Sequence, residues 1–345
     1  MRSAFVALVF LGLGVAAAAE APPASETTQL EAIFAASKAR AMVAVIVDGE
    51  RTYFIGKNAG EQSLVRINSL TKVMTGEVLA TLIAEGRVRL DDPLQRHARH
   101  GRRVPRAKGA RAITLRDLTA HVSGLPRDLP PGMSQSARWQ WLARRKLQRA
   151  PGRVAEYSNA AYMFLGDALS AAAGTSYEAL LKRTIIGPLA LADTTLNPTA
   201  EQCARLLPAT HACAPTYELD AMGGLYSTAA DMARWMRAQL DAADNAPRAA
   251  AHAAIVNRST LARVANLDMA GRMDAIAMGW LRMRLGGVQV LQKTGGGGGF
   301  MNYVILAPTQ RKGLFITVNR VDIEMLRDLT ARANALMAED LLAHH

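Results

Sequence analysis

Strand-forming sequence lies at the two ends of this chain and is scarce between them. Near the front, MVAVIVDGERTYFIG (residues 42–56) is two apolar runs around Asp48-Gly49, a pairing that favours a tight hairpin. Near the back, LRMRLGGVQVLQ is a second hairpin around Gly286-Gly287, and MNYVILAP and GLFITVN add further strands. Between about residues 100 and 265 the pattern is helical, with loops. A strand cannot leave its backbone groups unpaired in a core, so the two ends must meet in one sheet. The expectation is an α/β (α+β) fold. Two N-terminal and three C-terminal strands form a five-stranded antiparallel sheet flanked by helices. A final helix from about Glu324 to Leu342 covers one face. Residues 20–99 and 266–345 would form the sheet domain, and 100–265 an inserted, mainly helical lobe. Sites commonly form where two such lobes meet.

The first 19 residues read as a signal peptide. Arg2 precedes an apolar run from Phe5 to Val15, and Ala17-Ala18-Ala19 offers a small-residue cleavage site. Cleavage near Ala19 would export the protein, and no later stretch is apolar enough for a membrane span. The net charge of +12 then meets anionic lipid or cell-wall polymer rather than nucleic acid, for which no motif is present. A generally basic, solvated surface explains the charge equally well. The segment ARWQWLARRKLQRA (137–150) fits either peripheral contact with an anionic membrane or glycan, or a lobe helix with a basic solvated face. Cys203 and Cys213 are close in sequence, which in an oxidising compartment reads as a disulfide. A metal site would need more ligands than nearby His211, and His97 and His100 also lack metal-ligand company.

Three short motifs carry chemistry. In INSLTKVMTGEVLATLIAEGRV, apolar positions Leu70, Val73, Val78, Leu79 and Leu82 predict a helix over 69–85, ended by Gly86. Ser69 and Lys72 then share one face, with Cβ atoms about 5–6 Å apart. A lysine can take a serine proton only if its pKa falls far below the usual value of about 10.4. The second motif is Tyr157-Ser158-Asn159. A phenolate near two lysines would be a competent base, and Asn159 offers both an amide donor and an acceptor. The third is Lys293-Thr294-Gly295, a second cation and a hydroxyl suited to holding a carboxylate. Taken singly, each motif also fits an ordinary helix or turn. His121, two residues before Ser123, has no G-x-S-x-G frame and reads as structural.

The order Ser-x-x-Lys, Tyr-x-Asn, Lys-Thr-Gly resembles the serine penicillin-recognising superfamily, the penicillin-binding proteins and β-lactamases. Tyr-x-Asn in second place, with LTAHVSGLP, GGLYSTAADMARWM and QKTGGGGGF, is similar to the class C β-lactamase branch and its D-alanyl-D-alanine carboxypeptidase/endopeptidases. The resemblance spans the mature chain, with one departure: the stretch from Pro126 to Trp139 is short. It implies a periplasmic hydrolase acting through an acyl-enzyme on peptidoglycan stem peptides and binding β-lactams, with no metal or organic cofactor. It implies Ser69 as nucleophile, Lys72 and Tyr157 in proton transfer, and Asn159, Lys293, Thr294 and Gly295 holding substrate. The N–H groups of Ser69 and Gly296 would form the oxyanion hole. A class C-type β-lactamase, an esterase and a low-turnover penicillin-binding sensor share the same motifs. In this fold the Lys-Thr-Gly strand borders the substrate, so the run Gly295–Gly299 is expected to keep side chains out of its path, with Gly297–Gly299 also letting the chain turn into FMNYVI.

Overall fold

The computed structural model describes residues 24–341, other than 99, 100, 148 and 211. The segment read as a signal peptide, and His100 and His211, lie outside the described residues. No helix among the described residues is long and apolar enough to cross a membrane.

The ends of the chain do meet in one sheet. Met42–Asp48 pairs on one side with Arg51–Lys57 and on the other with Lys312–Val318. Phe300–Ala307 and Val288–Gly297 follow, making the expected five antiparallel strands. Leu281–Leu285, the first arm of the hairpin read around Gly286-Gly287 and left out of the count of five, is the sixth strand, and the short strands Ala275–Ile276 and Val256–Asn257 extend the sheet to eight, making three strands beyond the five. Two of these three are only two residues long, too short to show any alternation in the sequence.

Alternation along the central strands sorts their side chains onto two faces. Met42, Ala44 and Ile46 join Tyr303, Ile305, Leu314 and Ile316 in one buried cluster. Two terminal helices cover that face: Ala24–Ser37 through Leu30 and Ile33, and Ile323–Leu336 through Leu326, Leu329 and Leu336. Val43, Val45 and Val47 face the other way, with Val304 and Phe315. There they belong to a larger cluster that continues through Val78, Trp235 and Met236 to Leu118, Phe164 and Leu169 in the helical region.

The Thr71–Ala84 helix runs through this second core. Eleven of its fourteen residues are buried, which explains why no clean amphipathic stripe marks it. The Asn159–Ala173 helix starts at Ser158, whose hydroxyl accepts from Ala161 N–H and caps it. Arg138 and Trp139, in the basic segment, are buried and converge on the Asp167 carboxylate, so that segment is anchored in the core at its N-terminal end. Its Gln135–Ala143 helix stops before most of the basic residues. Cys203 and Cys213 form a disulfide.

Candidate active site

Ser69 sits in a single helical turn, Asn68–Leu70, that leads directly into the Thr71–Ala84 helix. Asn68 has a φ of +50°, a conformation asparagine tolerates better than most residues. Its side-chain amide donates to the carbonyls of Arg66 (3.1 Å) and Gly297 (2.9 Å). The Ser69 turn is thereby tied to the Lys293–Gly297 end of a sheet strand. Contact is closest at Gly295, where a Cβ would lie 2.5 Å from the Ile67 carbonyl oxygen and 3.1 Å from Ser69 N. Only glycine lets the strand and turn approach this closely.

All three motifs reach one cleft. Tyr157 O–H donates to Ser69 Oγ at 2.5 Å. Lys72 Nζ lies 3.2 Å from Ser69 Oγ, donates to Asn159 Oδ1 at 2.7 Å, and donates to the Met222 carbonyl. Lys293 Nζ and Lys72 Nζ stand 4.9 and 5.0 Å from the Tyr157 ring centroid. Ser69, Tyr157, Asn159, Thr294 and Gly296 line a cavity of about 420 Å³. Gly295 packs behind it, against the serine turn. Among the described residues no group of acidic, histidine or cysteine side chains could hold a metal.

Neither buried lysine has a carboxylate partner within ion-pair distance among the described residues. Burial holds Lys72 well below the usual lysine range, and the nearby charges of Lys293 and Arg127 push it the same way; Asp128 opposes them. Burial alone brings Lys293 down to about 7. Uncompensated buried cations cost folding free energy, and titratable groups so displaced cluster at functional sites.

Tyr157 is a buried phenol beside the two lysines. Burial pushes its pKa up to about 12, outweighing the Ser69 hydrogen bond and Arg127. At that value the phenol is protonated, while burial pushes Lys72 the other way, toward its neutral form.

The glycine run also turns the chain into the next strand. Gly297 pairs with Phe300, so Gly298 and Gly299 form a two-residue hairpin turn. Both have positive φ, +59° and +94°, as does Gly297 at +141°. A turn of this kind needs left-handed backbone at its two central residues. A Cβ on Gly296 would point at Met301 Sδ, 2.6 Å away. Reversal of the chain and close packing thus account for the run, in addition to its place beside the cleft.

Several neighbours carried no sequence signal. Asp128 accepts from Asn159 Nδ2 at 2.6 Å, and Arg127 Cζ lies 5.1 Å from the Tyr157 ring centroid. Both sit on an exposed loop with no motif around them. His121, read as structural, stacks on Tyr157 at 4.7 Å between centroids, and its Nδ1 accepts from Ser158 N–H. Its φ of +58° and its burial mark a residue held in place by its surroundings.

A serine set against an unpaired buried lysine and a neutral phenol, on the first turn of a helix packed beside a sheet strand, defines a penicillin-recognising serine hydrolase. The chain belongs to the Beta-lactamase family, which it matches over residues 29–339. It is 37% identical to the D-alanyl-D-alanine-carboxypeptidase/endopeptidase AmpH of Escherichia coli K12 over 335 residues, covering 89% of this chain and 86% of that protein. It is similar to the solved structure of a beta-lactamase/D-alanine carboxypeptidase from Yersinia pestis. That match has a TM-score of 0.83 at 35% identity, over 91% of this chain and 98% of the other. A class C beta-lactamase from Rhodobacter sphaeroides shares the fold, with a TM-score of 0.74 at 17% identity over 91% and 98% of the two chains.

Proposed function

We propose that this protein is a serine DD-peptidase that acts on peptidoglycan stem peptides, removing the terminal D-alanine as a carboxypeptidase, cutting cross-links as an endopeptidase, or both, and is acylated by penicillins. The observation that carries the reading is the pairing of Ser69 with Lys72, 3.2 Å apart, a lysine that burial holds well below the usual lysine range, next to an open strand edge. Val288–Gly297 pairs with Leu281–Leu285 only as far as Gln292, so the Lys293–Gly297 segment has one edge free of a neighbouring strand. A peptide can add to such an edge through its backbone. Likeness to AmpH along most of both chains favours a peptide substrate.

Neutral Lys72 takes the Ser69 proton as Oγ attacks the carbonyl carbon of the penultimate D-alanine. The N–H groups of Ser69 and Gly296 hold the resulting oxyanion. The carbon–nitrogen bond then breaks, and the leaving amine takes a proton from Tyr157, which Lys72 re-protonates. Water attacks the acyl-enzyme by the reverse route, giving its proton to the same pair and releasing Ser69. Asn159 and Thr294 hold the peptide backbone, and Lys293 in its charged form holds the terminal carboxylate. The substrate enters between the sheet domain and the lobe of residues 100–265. Residues 1–19 direct export, which places the enzyme in the periplasm with its substrate.

β-Lactamase action by the same residues is the second reading, favoured by the Yersinia relative whose description carries both activities. Incubating pure protein with muropeptides and, separately, with a chromogenic cephalosporin distinguishes the two. The proposal expects sustained release of D-alanine or cleavage of cross-links, with the cephalosporin turned over slowly or trapped. Rapid cephalosporin turnover with intact muropeptides would favour the second reading.

A further inference from the structure

A second cavity, about 400 Å³, adjoins the catalytic cleft, and Arg127 lines both. Its walls carry four cations, Arg127, Arg145, Lys146 and Arg149, against two carboxylates, Asp128 and Glu156. The carboxylates are already engaged: Glu156 pairs with Arg149, and Asp128 lies 3.5 Å from Arg127 and accepts from Asn159. Arg145 and Lys146 have no carboxylate partner within ion-pair distance among the described residues. Arg145 is instead stacked on Trp141, with Cζ 4.4 Å from the ring centroid. A guanidinium over an indole face gains cation–π attraction and still has N–H groups to offer a carboxylate. Leu125, Pro126 and Leu147 supply apolar surface beside these charges.

We infer that this cavity is a subsite for the upstream part of the acyl donor, and that it selects peptides carrying free carboxylates. The inference rests on the DD-peptidase reading and deepens it. A donor whose reactive carbonyl sits at Ser69 reaches the second cavity by passing Arg127. There Arg145 and Lys146 meet the donor's carboxylates, and Trp141 with its stacked arginine gives a flat platform for the chain. Short-range pairing of this kind discriminates by charge, because an amidated donor leaves the cations without a partner.

The test uses full-length mature protein and the double charge reversal Arg145→Glu with Lys146→Glu. Both side chains are exposed, so the fold should tolerate the change. Two synthetic pentapeptides ending in D-Ala-D-Ala are compared, one with two free upstream carboxylates and a twin with both amidated. The ratio of their kcat/KM values should fall at least tenfold in the variant, mainly through KM for the acidic peptide. A ratio equal to wild type overturns the inference. Calorimetric titration with the acidic upstream fragment alone, lacking D-Ala-D-Ala, decides the subsite independently of turnover. At least tenfold weaker binding to the variant supports it, and equal binding overturns it. If wild type cleaves neither pentapeptide, the DD-peptidase reading fails while this titration still judges the cavity. Retained fragment binding with lost affinity for phosphatidylglycerol vesicles would reassign the basic face to a membrane surface and overturn the subsite.

Discussion

Tyr157 donates a 2.5 Å hydrogen bond to Ser69 Oγ from a phenol that burial has pushed up to about 12. In the proposed reaction the phenol enters protonated, and Lys72, which burial pushes toward its neutral form, accepts the serine proton. Lys72→Met removes the proposed resting base and replaces a buried amine that has no carboxylate partner, so the fold should survive. The acylation rate constant with a fluorescent penicillin should drop by roughly a hundred- to ten-thousandfold, the usual range for general-base catalysis. Tyr157→Phe should lose less. The reverse order would return the role of resting base to the tyrosine.

Lys293 loses its charge near pH 7 in the free enzyme, because burial lowers its pKa from 10.5 to about 7. For a substrate ending in a carboxylate, kcat/KM should fall as pH rises through that value, since kcat/KM reports free-enzyme ionisations. The same peptide with an amidated C-terminus should not show this limb. Stability moves the opposite way. The unfolded chain binds the extra proton between pH 7 and about 10.4, so unfolding free energy rises with pH across that window. Denaturant titrations of Lys293→Met should show a flatter rise. A variant as pH-dependent as wild type in both measurements would refute the assignment.

Asp128 touches the catalytic groups only through Asn159 and its charge. Its carboxylate raises the pKa of Lys72 against the larger effect of burial. Asp128→Asn should keep a hydrogen-bond acceptor for Asn159 while removing that charge. The acidic limb of the acylation pH profile should then move to lower pH. A shift to higher pH, or none, would show that Asp128 does not act on Lys72.

How much of this could be read from residues alone depended on whether a pattern repeated. Val43–Ile46 and Val304–Ile305 alternate between two buried faces, so the sheet and its use of both chain ends were legible. Val256–Asn257 has no room for a period, and its place in the sheet depends on a partner distant in sequence. The cleft shows the same contrast. Ser69, Lys72, Tyr157, Asn159, Lys293 and Thr294 lie in motifs with recognisable order. His121 and Asp128 act through contacts 36 and 31 residues away in the chain, against Tyr157 and Asn159, and no local composition announces them. The upward push on the tyrosine's pKa has no sequence signal, because desolvation is a property of the folded surroundings.

Gly299 meets two constraints at once. Its φ is +94°, and a Cβ there would stand 2.6 Å from Thr210 N and 2.9 Å from Ala209 Cα. Gly299→Ala should lower stability by about 1–3 kcal/mol, the scale of backbone strain and overpacking. Gly49→Ala, with positive φ but nothing within 4 Å, should cost less. Chemical denaturation of both variants checks the order. Equal losses would mean that the turn yields to Ala209 and Thr210 without cost.

Everything proposed for the reaction depends on Ser69 being the group that is acylated. Peptide mapping by mass spectrometry after brief exposure to a penicillin tests this directly. One adduct should appear on the peptide containing Ser69, and Ser69→Ala should carry none. An adduct on another residue, or labelling that persists in Ser69→Ala, would contradict the account.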